Sequence, residues 1–144
     1  MDAKTVNTEQ DKQALLAIVE EMSKSTTGAQ STKHWAPEAV WFDVPPFASK
    51  GVETARKQFD REFGAVSSFI PEILRTEIVV NGDMGIVCSV QRWSIVEKSG
   101  TARPPMLIRA TDCFERRDGR WRVIHEHVSV PAGGGWDGTI QTGD

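Results

Sequence analysis

Leu15, Leu16, Ile18, Val19 and Met22 recur at helical spacing, and this apolar stripe predicts an amphipathic helix beginning near Thr8. Thr8 is placed to cap it, with Asp11 three residues on as an acidic variant of the capping box. Residues 1–7 read as a loose start. The stripe ends in the polar run Ser23-Lys24-Ser25-Thr26-Thr27-Gly28. Ala29 to His34 leaves room for a short second helix, and Pro37 breaks the pattern. Val40 to Val44 is short, aromatic and β-branched, which predicts a strand. It stops at Pro45-Pro46, where no N–H is available for a ladder. After the Lys50-Gly51 turn, Val52, Ala55, Phe59 and Phe63 return to helical spacing and end at Gly64.

The second half of the chain changes period. Long strand candidates run over about Pro71–Val80, Met84–Val96, Pro104–Arg116 and Arg120–Val130. Asn81-Gly82-Asp83, Ser99-Gly100 and Asp118-Gly119 punctuate them. Helices first and strands last predict an α+β fold, with helices on one face of a curved antiparallel sheet. The pattern fits a single domain over residues 1–131, followed by a Gly-rich tail from Ala132 to Asp144 that is expected to be mobile. Trp136 in that tail reads either as part of a disordered end or as a latch onto a partner.

A length of 144 residues with 39% hydrophobic and 26% charged positions suits one soluble core. A net charge of −3 argues against nucleic acid or an anionic membrane surface as partner. Arg116, Arg117, Arg120 and Arg122 surround one turn and read as solvated charge. Cys88 and Cys113 fall inside predicted strands without a Cys-x-x-Cys pair, so they read as reduced core thiols of a cytoplasmic protein. Met-Asp-Ala-Lys is followed by no apolar run, and no stretch is apolar enough to span a bilayer, so neither a secretory signal nor a membrane span is expected.

Chemistry concentrates in the last hairpin. Alternation from the Asp118-Gly119 turn places Trp121, Val123, His125, His127 and Ser129 on one face. The two histidines read as hydrogen-bonded structural groups, as acid–base groups, or as half of a metal site needing Asp43 or Glu126 to converge with them. No resident metal or cofactor is expected.

Three segments carry a family resemblance. They are His34-Trp35-Ala36-Pro37-Glu38-Ala39-Val40-Trp41-Phe42-Asp43-Val44-Pro45, Gly51-Val52-Glu53-Thr54-Ala55-Arg56, and the hairpin from Phe114 to Pro131. Together they resemble the cone-shaped α+β family of ketosteroid isomerase, the SnoaL-like polyketide cyclases, the scytalone dehydratases and nuclear transport factor 2. The hairpin is also similar to that of the calmodulin-dependent kinase association domain. The resemblance implies a cone with an internal pocket, and a homodimer. In the isomerase the acid of the first short strand is the general base, and its place falls on Asp43. An apolar rim would raise the pKa of such a carboxylate toward working pH.

The isomerase also uses a tyrosine and a protonated aspartate as oxyanion donors. This chain has no tyrosine; the tyrosine position falls near Val19 and the aspartate position on Thr111. Arg109, on the face of Thr111 and Cys113, reads as a replacement anchor for a carboxylate or enolate, as a buried ion-pair partner, or as a dimer-surface contact. Strict alternation laid on the isomerase turns Ile124, Glu126 and Val128 inward and His125 and His127 toward a partner subunit; a bulge would reverse this. Trp41, Phe59 and Phe63 are expected in the core and, with Glu126, along the pocket, and Pro45-Pro46-Phe47 at its mouth or at a subunit contact. Three functions stay open. One is an isomerase, cyclase or dehydratase on a small hydrophobic carbonyl compound, with Asp43 as base and a histidine assisting. The others are a ligand-binding module without chemistry and an association domain.

Overall fold

In the computed structural model, which describes residues 3–44 and 49–131, the first helix is longer than its apolar stripe. It spans Ala3–Ser23 (α1), so Thr8 lies within the helix and the expected loose start is helical from Ala3. Leu15 and Val19 are buried, and Ile18 and Met22 pack against them. A single turn, Gly28–Ser31 (α2), follows, and the Thr27 hydroxyl caps it by accepting the Gln30 N–H at 3.2 Å. Pro45-Pro46-Phe47 and the tail with Trp136 lie outside the described residues.

The first strand, Trp35–Phe42 (β1), begins five residues earlier than its β-branched segment suggests and runs through Pro37. Pro37 is tolerated because pairing is irregular between Trp35 and Val40, where a missing N–H breaks no regular ladder. Ser49–Lys50 (β2) and the helix Val52–Gly64 (α3) come next, joined by Gly51 at a φ of 93°. That left-handed backbone explains the glycine. Four long strands complete the chain: Val66–Asn81 (β3), Met84–Glu97 (β4), Met106–Arg117 (β5) and Arg120–Ser129 (β6). They form one sheet in the order β2-β1-β6-β5-β4-β3. β3 is an edge strand, so it can carry Pro71 internally. The sheet is mixed: β1 runs parallel to β6, and its other pairings are antiparallel.

The helices cover one face of this curved, unclosed sheet, α1 against β3 and β4, α3 against β1 and β3. Gly85 on β4 sits directly beneath Leu15, where any Cβ would collide with the leucine side chain. Gly28 plays the same part between the helices, since a Cβ there would run into the Arg56 carbonyl. Trp41 is fully buried, edge-on to Trp35 at 5.9 Å and tilted against Phe59 at 6.3 Å.

The basic turn is more than solvated charge. Arg116 donates to both Asp11 carboxylate oxygens at 2.8 and 2.9 Å and to Asp83 at 3.0 Å, and lies 4.4 Å over the Trp121 ring. It ties the hairpin to α1 by a bidentate pair and a cation–π contact. Arg117 pairs with Glu38 and Glu115. The cysteines are not core thiols: Cys88 is exposed and Cys113 half-buried, both on the sheet's outer face. No helix among the described residues is long and apolar enough to cross a membrane.

One irregularity in β6 controls what faces the helices. Phe114 pairs with Val123, but the next residue back on β5, Cys113, pairs with His125, so Ile124 is an extra residue in a bulge. Trp121 and Val123 are buried on the inner face before the bulge, and Val128 after it. The single face expected for Trp121, Val123, His125 and His127 is therefore broken at Ile124.

Candidate functional site

Between α1, α3 and the inner sheet face lies a cavity of about 480 Å³. This is an ordinary volume for a small-molecule site. Trp35, Phe59, Phe63, Phe69 and Trp93 give it aromatic walls. Phe59 and Phe63 thus line it, whereas Trp41 stands behind Trp35 and Phe59 and does not.

Into this apolar space project the carboxyls of Asp43, Glu62, Asp112 and Glu126. Asp43 follows the end of β1 and accepts the Val44 backbone N–H at 2.7 Å. Burial, reinforced by the neighbouring Glu126 carboxyl, outweighs that hydrogen bond and pushes Asp43 up to about 7. Glu62 comes from α3 and accepts the Gln58 amide at 2.7 Å. It too is pushed up to about 7, chiefly by burial and then by the nearby Asp43 charge. Asp112 and Glu126 are cross-strand partners on β5 and β6. Burial raises both, Glu126 well above the usual range, and the two carboxyls are hydrogen-bonded to each other. Two like charges this close and this dry cannot both form, so the pair keeps a proton.

Two polar atoms in the wall lack protein partners. Asp112 is 2% exposed, and its Oδ1 accepts no hydrogen bond. The buried Trp35 Nε1–H donates none. Buried groups of this kind normally find partners, which marks the cavity wall as incomplete on its own. Arg103 also reaches the lining, but it is exposed and paired with Glu97.

Arg109 and Thr111 do not enter the cavity. Both lie on the outer face, in a shallow depression with Arg75, Glu77 and Cys88. The inward residues of β5 are Ile108, Ala110, Asp112 and Phe114, all buried. Alignment on the isomerase is thus one residue out: the inward acid is Asp112, where Thr111 was expected. The signal was present in the sequence, since Ile108, Ala110 and Phe114 are the apolar alternates of that strand. Glu62 was also legible, lying three residues after Phe59 and just before Phe63 on the same helical face.

His125 and His127 face away from the cavity as well. The His125 Nδ1–H donates to the Val40 carbonyl at 2.8 Å. The Phe42 ring meets the two imidazoles edge-on, at 5.1 and 5.5 Å. They do not converge with Asp43 or Glu126, and among the described residues no three His, Cys, Asp or Glu side chains are arranged to hold a metal.

Structures already solved share this architecture. An NTF2-like protein of unknown function from Pseudomonas putida KT2440 superimposes with a TM-score of 0.80 at 18% identity, covering 95% of this chain and 97% of that one. A candidate dehydratase of the NTF2-like family from Streptomyces avermitilis gives 0.72 at 15% identity, covering 91% and 100%. A candidate ketosteroid isomerase from Parabacteroides distasonis gives 0.63 at 15% identity, covering 82% and 86%. No curated protein matches the chain by sequence. The SnoaL-like domain profile matches residues 13–133, from the middle of α1 through the later helices, the cavity and the whole sheet, and the chain belongs to that SnoaL-like family.

Proposed function

We propose that the protein carries out cofactor-independent acid–base chemistry, of the isomerase, cyclase or dehydratase kind, on a small hydrophobic carbonyl compound. The observation that carries this reading is Asp43, a carboxyl raised to about 7 at the wall of a 480 Å³ aromatic cavity. A base is most effective when its pKa lies near the working pH. Asp43 would take a proton from the carbon next to the carbonyl, and the electron pair would move onto the carbonyl oxygen. The Glu126 carboxyl, kept protonated, would turn its O–H from Asp112 to that developing oxyanion as a hydrogen-bond donor. This is the service that a protonated aspartate gives in ketosteroid isomerase, the handiest precedent for an acid kept neutral by apolar surroundings. Return of the proton to another carbon completes an isomerisation; loss of a β-hydroxyl as water completes a dehydration. The isomerase and dehydratase named among the fold's neighbours are consistent with either outcome.

The test is turnover of β,γ-unsaturated and β-hydroxy ketones by wild type and Asp43→Asn. Loss of turnover by at least a hundredfold with an unchanged circular dichroism spectrum supports the assignment. Equal turnover in the two proteins removes Asp43 as base.

We also infer a homodimer formed through the outer sheet face. Val40, His125, Cys113, Ile86 and Val79 make one continuous cross-strand row there, and Val79 and Ile86 are 62% and 40% exposed. Light scattering on Ile86→Lys against wild type checks it: a monomeric variant supports this face, and an unchanged dimer or a monomeric wild type overturns it.

A further inference from the structure

We propose that the molecule bound in the cavity carries a protonated amine on a hydrophobic body, held by the carboxyls of Asp43, Glu62, Asp112 and Glu126. This rests on reading the cavity as a ligand site and adds the charge and hydrogen-bonding sense of what enters it.

The cavity's polar groups are out of balance. It presents carboxyl groups from β1's end, α3, β5 and β6, and among the described residues no unpaired cation lines it to offset them. Arg103 is exposed and occupied by Glu97. Arg109 lies on the other side of the sheet. The neutral amide nearby is also spoken for: Gln91 donates to Ser89 Oγ at 2.9 Å and accepts the Trp93 indole N–H at 2.9 Å. The surplus is of carboxyl groups over cations.

Asp112 Oδ1 makes the same point at a single atom. It is buried, belongs to a residue of the lining, and has no hydrogen-bond partner. An N–H brought by a ligand satisfies it; a ligand carboxylate, which only accepts, cannot. A ligand with a permanent carboxylate, expected when Arg109 was placed in the pocket, finds no unpaired cation among the described lining residues here. An organic ammonium gains from these carboxyls in a poorly solvated site, and from the faces of Trp35, Phe59 and Trp93. A bare metal ion fits less well, because no three ligating side chains converge among the described residues. Burial has already lifted these acids toward neutrality, so an entering cation would draw protons off them and into solution.

The experiment is isothermal titration calorimetry at pH 7 with three isosteres: tryptamine, tryptophol and indole-3-propionate. Runs in phosphate and in Tris separate proton release from binding heat. The expected result is tryptamine binding at least tenfold more tightly than tryptophol, with proton release, and the propionate weakest. Glu62→Gln should reduce tryptamine affinity several-fold and leave tryptophol unchanged. This variant sits on α3 and keeps its hydrogen bond to Gln58, so it tests the idea even if Asp112→Asn fails to fold. Tryptophol or the propionate binding as well as tryptamine overturns the proposal, as does no heat from any of the three at millimolar concentration. Asp43-dependent turnover of neutral ketones with no amine preference would sink this inference alone. An amine preference with no Asp43-dependent turnover would sink the acid–base reading alone.

Discussion

Asp112 and Glu126 face each other directly across β5 and β6, and their carboxyls share a proton inside a cavity walled by aromatic rings. The two carboxyls are hydrogen-bonded to each other, and burial raises both. Glu126→Gln keeps a donor toward Asp112 and is expected to fold normally. Glu126→Ala leaves a buried carboxylate without its donor and is expected to cost about 2–3 kcal/mol. Urea denaturation of both variants at pH 7 checks this. Equal stabilities would mean that the pair is not hydrogen-bonded.

The cavity acids also predict how stability varies with pH. Asp43 and Glu62 titrate near 7 in the folded protein, against 3.8 and 4.5 in ordinary surroundings. Between about pH 4 and 7 the folded state therefore binds more protons than the unfolded chain. Their stabilising contribution is complete below pH 4 and is lost as the pH rises through 7. Melting temperature should fall across that interval, and Asp43→Asn with Glu62→Gln should flatten the slope. A melting temperature that rises from pH 5 to 8, with the same slope in the double variant, contradicts the raised values.

Arg109 offers a cleaner test of placement. Arg109→Met should leave the affinity of any cavity ligand within about twofold of wild type, because the guanidinium stands on the opposite sheet face. A tenfold loss by calorimetry would bring the side chain back into the site.

Two glycines separate packing from backbone effects. Gly28→Ala forces a methyl group into the Arg56 carbonyl and should cost about 1–3 kcal/mol. Gly64→Ala, at the end of α3 with open space around it, should be neutral or stabilise by about 0.5–1 kcal/mol. Comparable losses in both would point to a shared cause other than the close approach of α2 to α3.

Much of this architecture was legible in the chain. Leu15 with Val19, and Phe59 with Phe63, marked the two long helices, and the Gly-containing turns marked the strand ends. The start of β1 was hidden because Pro37 reads as a breaker, and only its place at an irregular pairing makes it harmless. The parallel pairing of β1 with β6 joins segments far apart in sequence, which no local pattern encodes. At the site, Asp43 was visible through its family-like segment. Glu62 was readable from its place on the Phe59 and Phe63 face of the helix, a signal that the sequence reading did not use. Asp112 was missed by following a single-residue alignment over the strand's own apolar alternation. The outward turn of His125 and His127 and the inward turn of Glu126 match the alternation laid on the isomerase, but they arise through a bulge at Ile124, an ordinary strand residue that leaves no composition signal.

That bulge makes β6 two half-strands out of step with each other. The half nearer the hairpin turn seats Trp121 and Val123 in the core; the half beyond it delivers Glu126. Were the strand drawn straight with every residue kept, its far half would turn over by one pleat. His125 and His127 would then swing under the helices, and Glu126 would go outside. A pocket of acids would become a pocket of imidazoles without a single substitution. The chemical character of this cavity is thus written in the parity of a residue count as well as in the identity of its side chains.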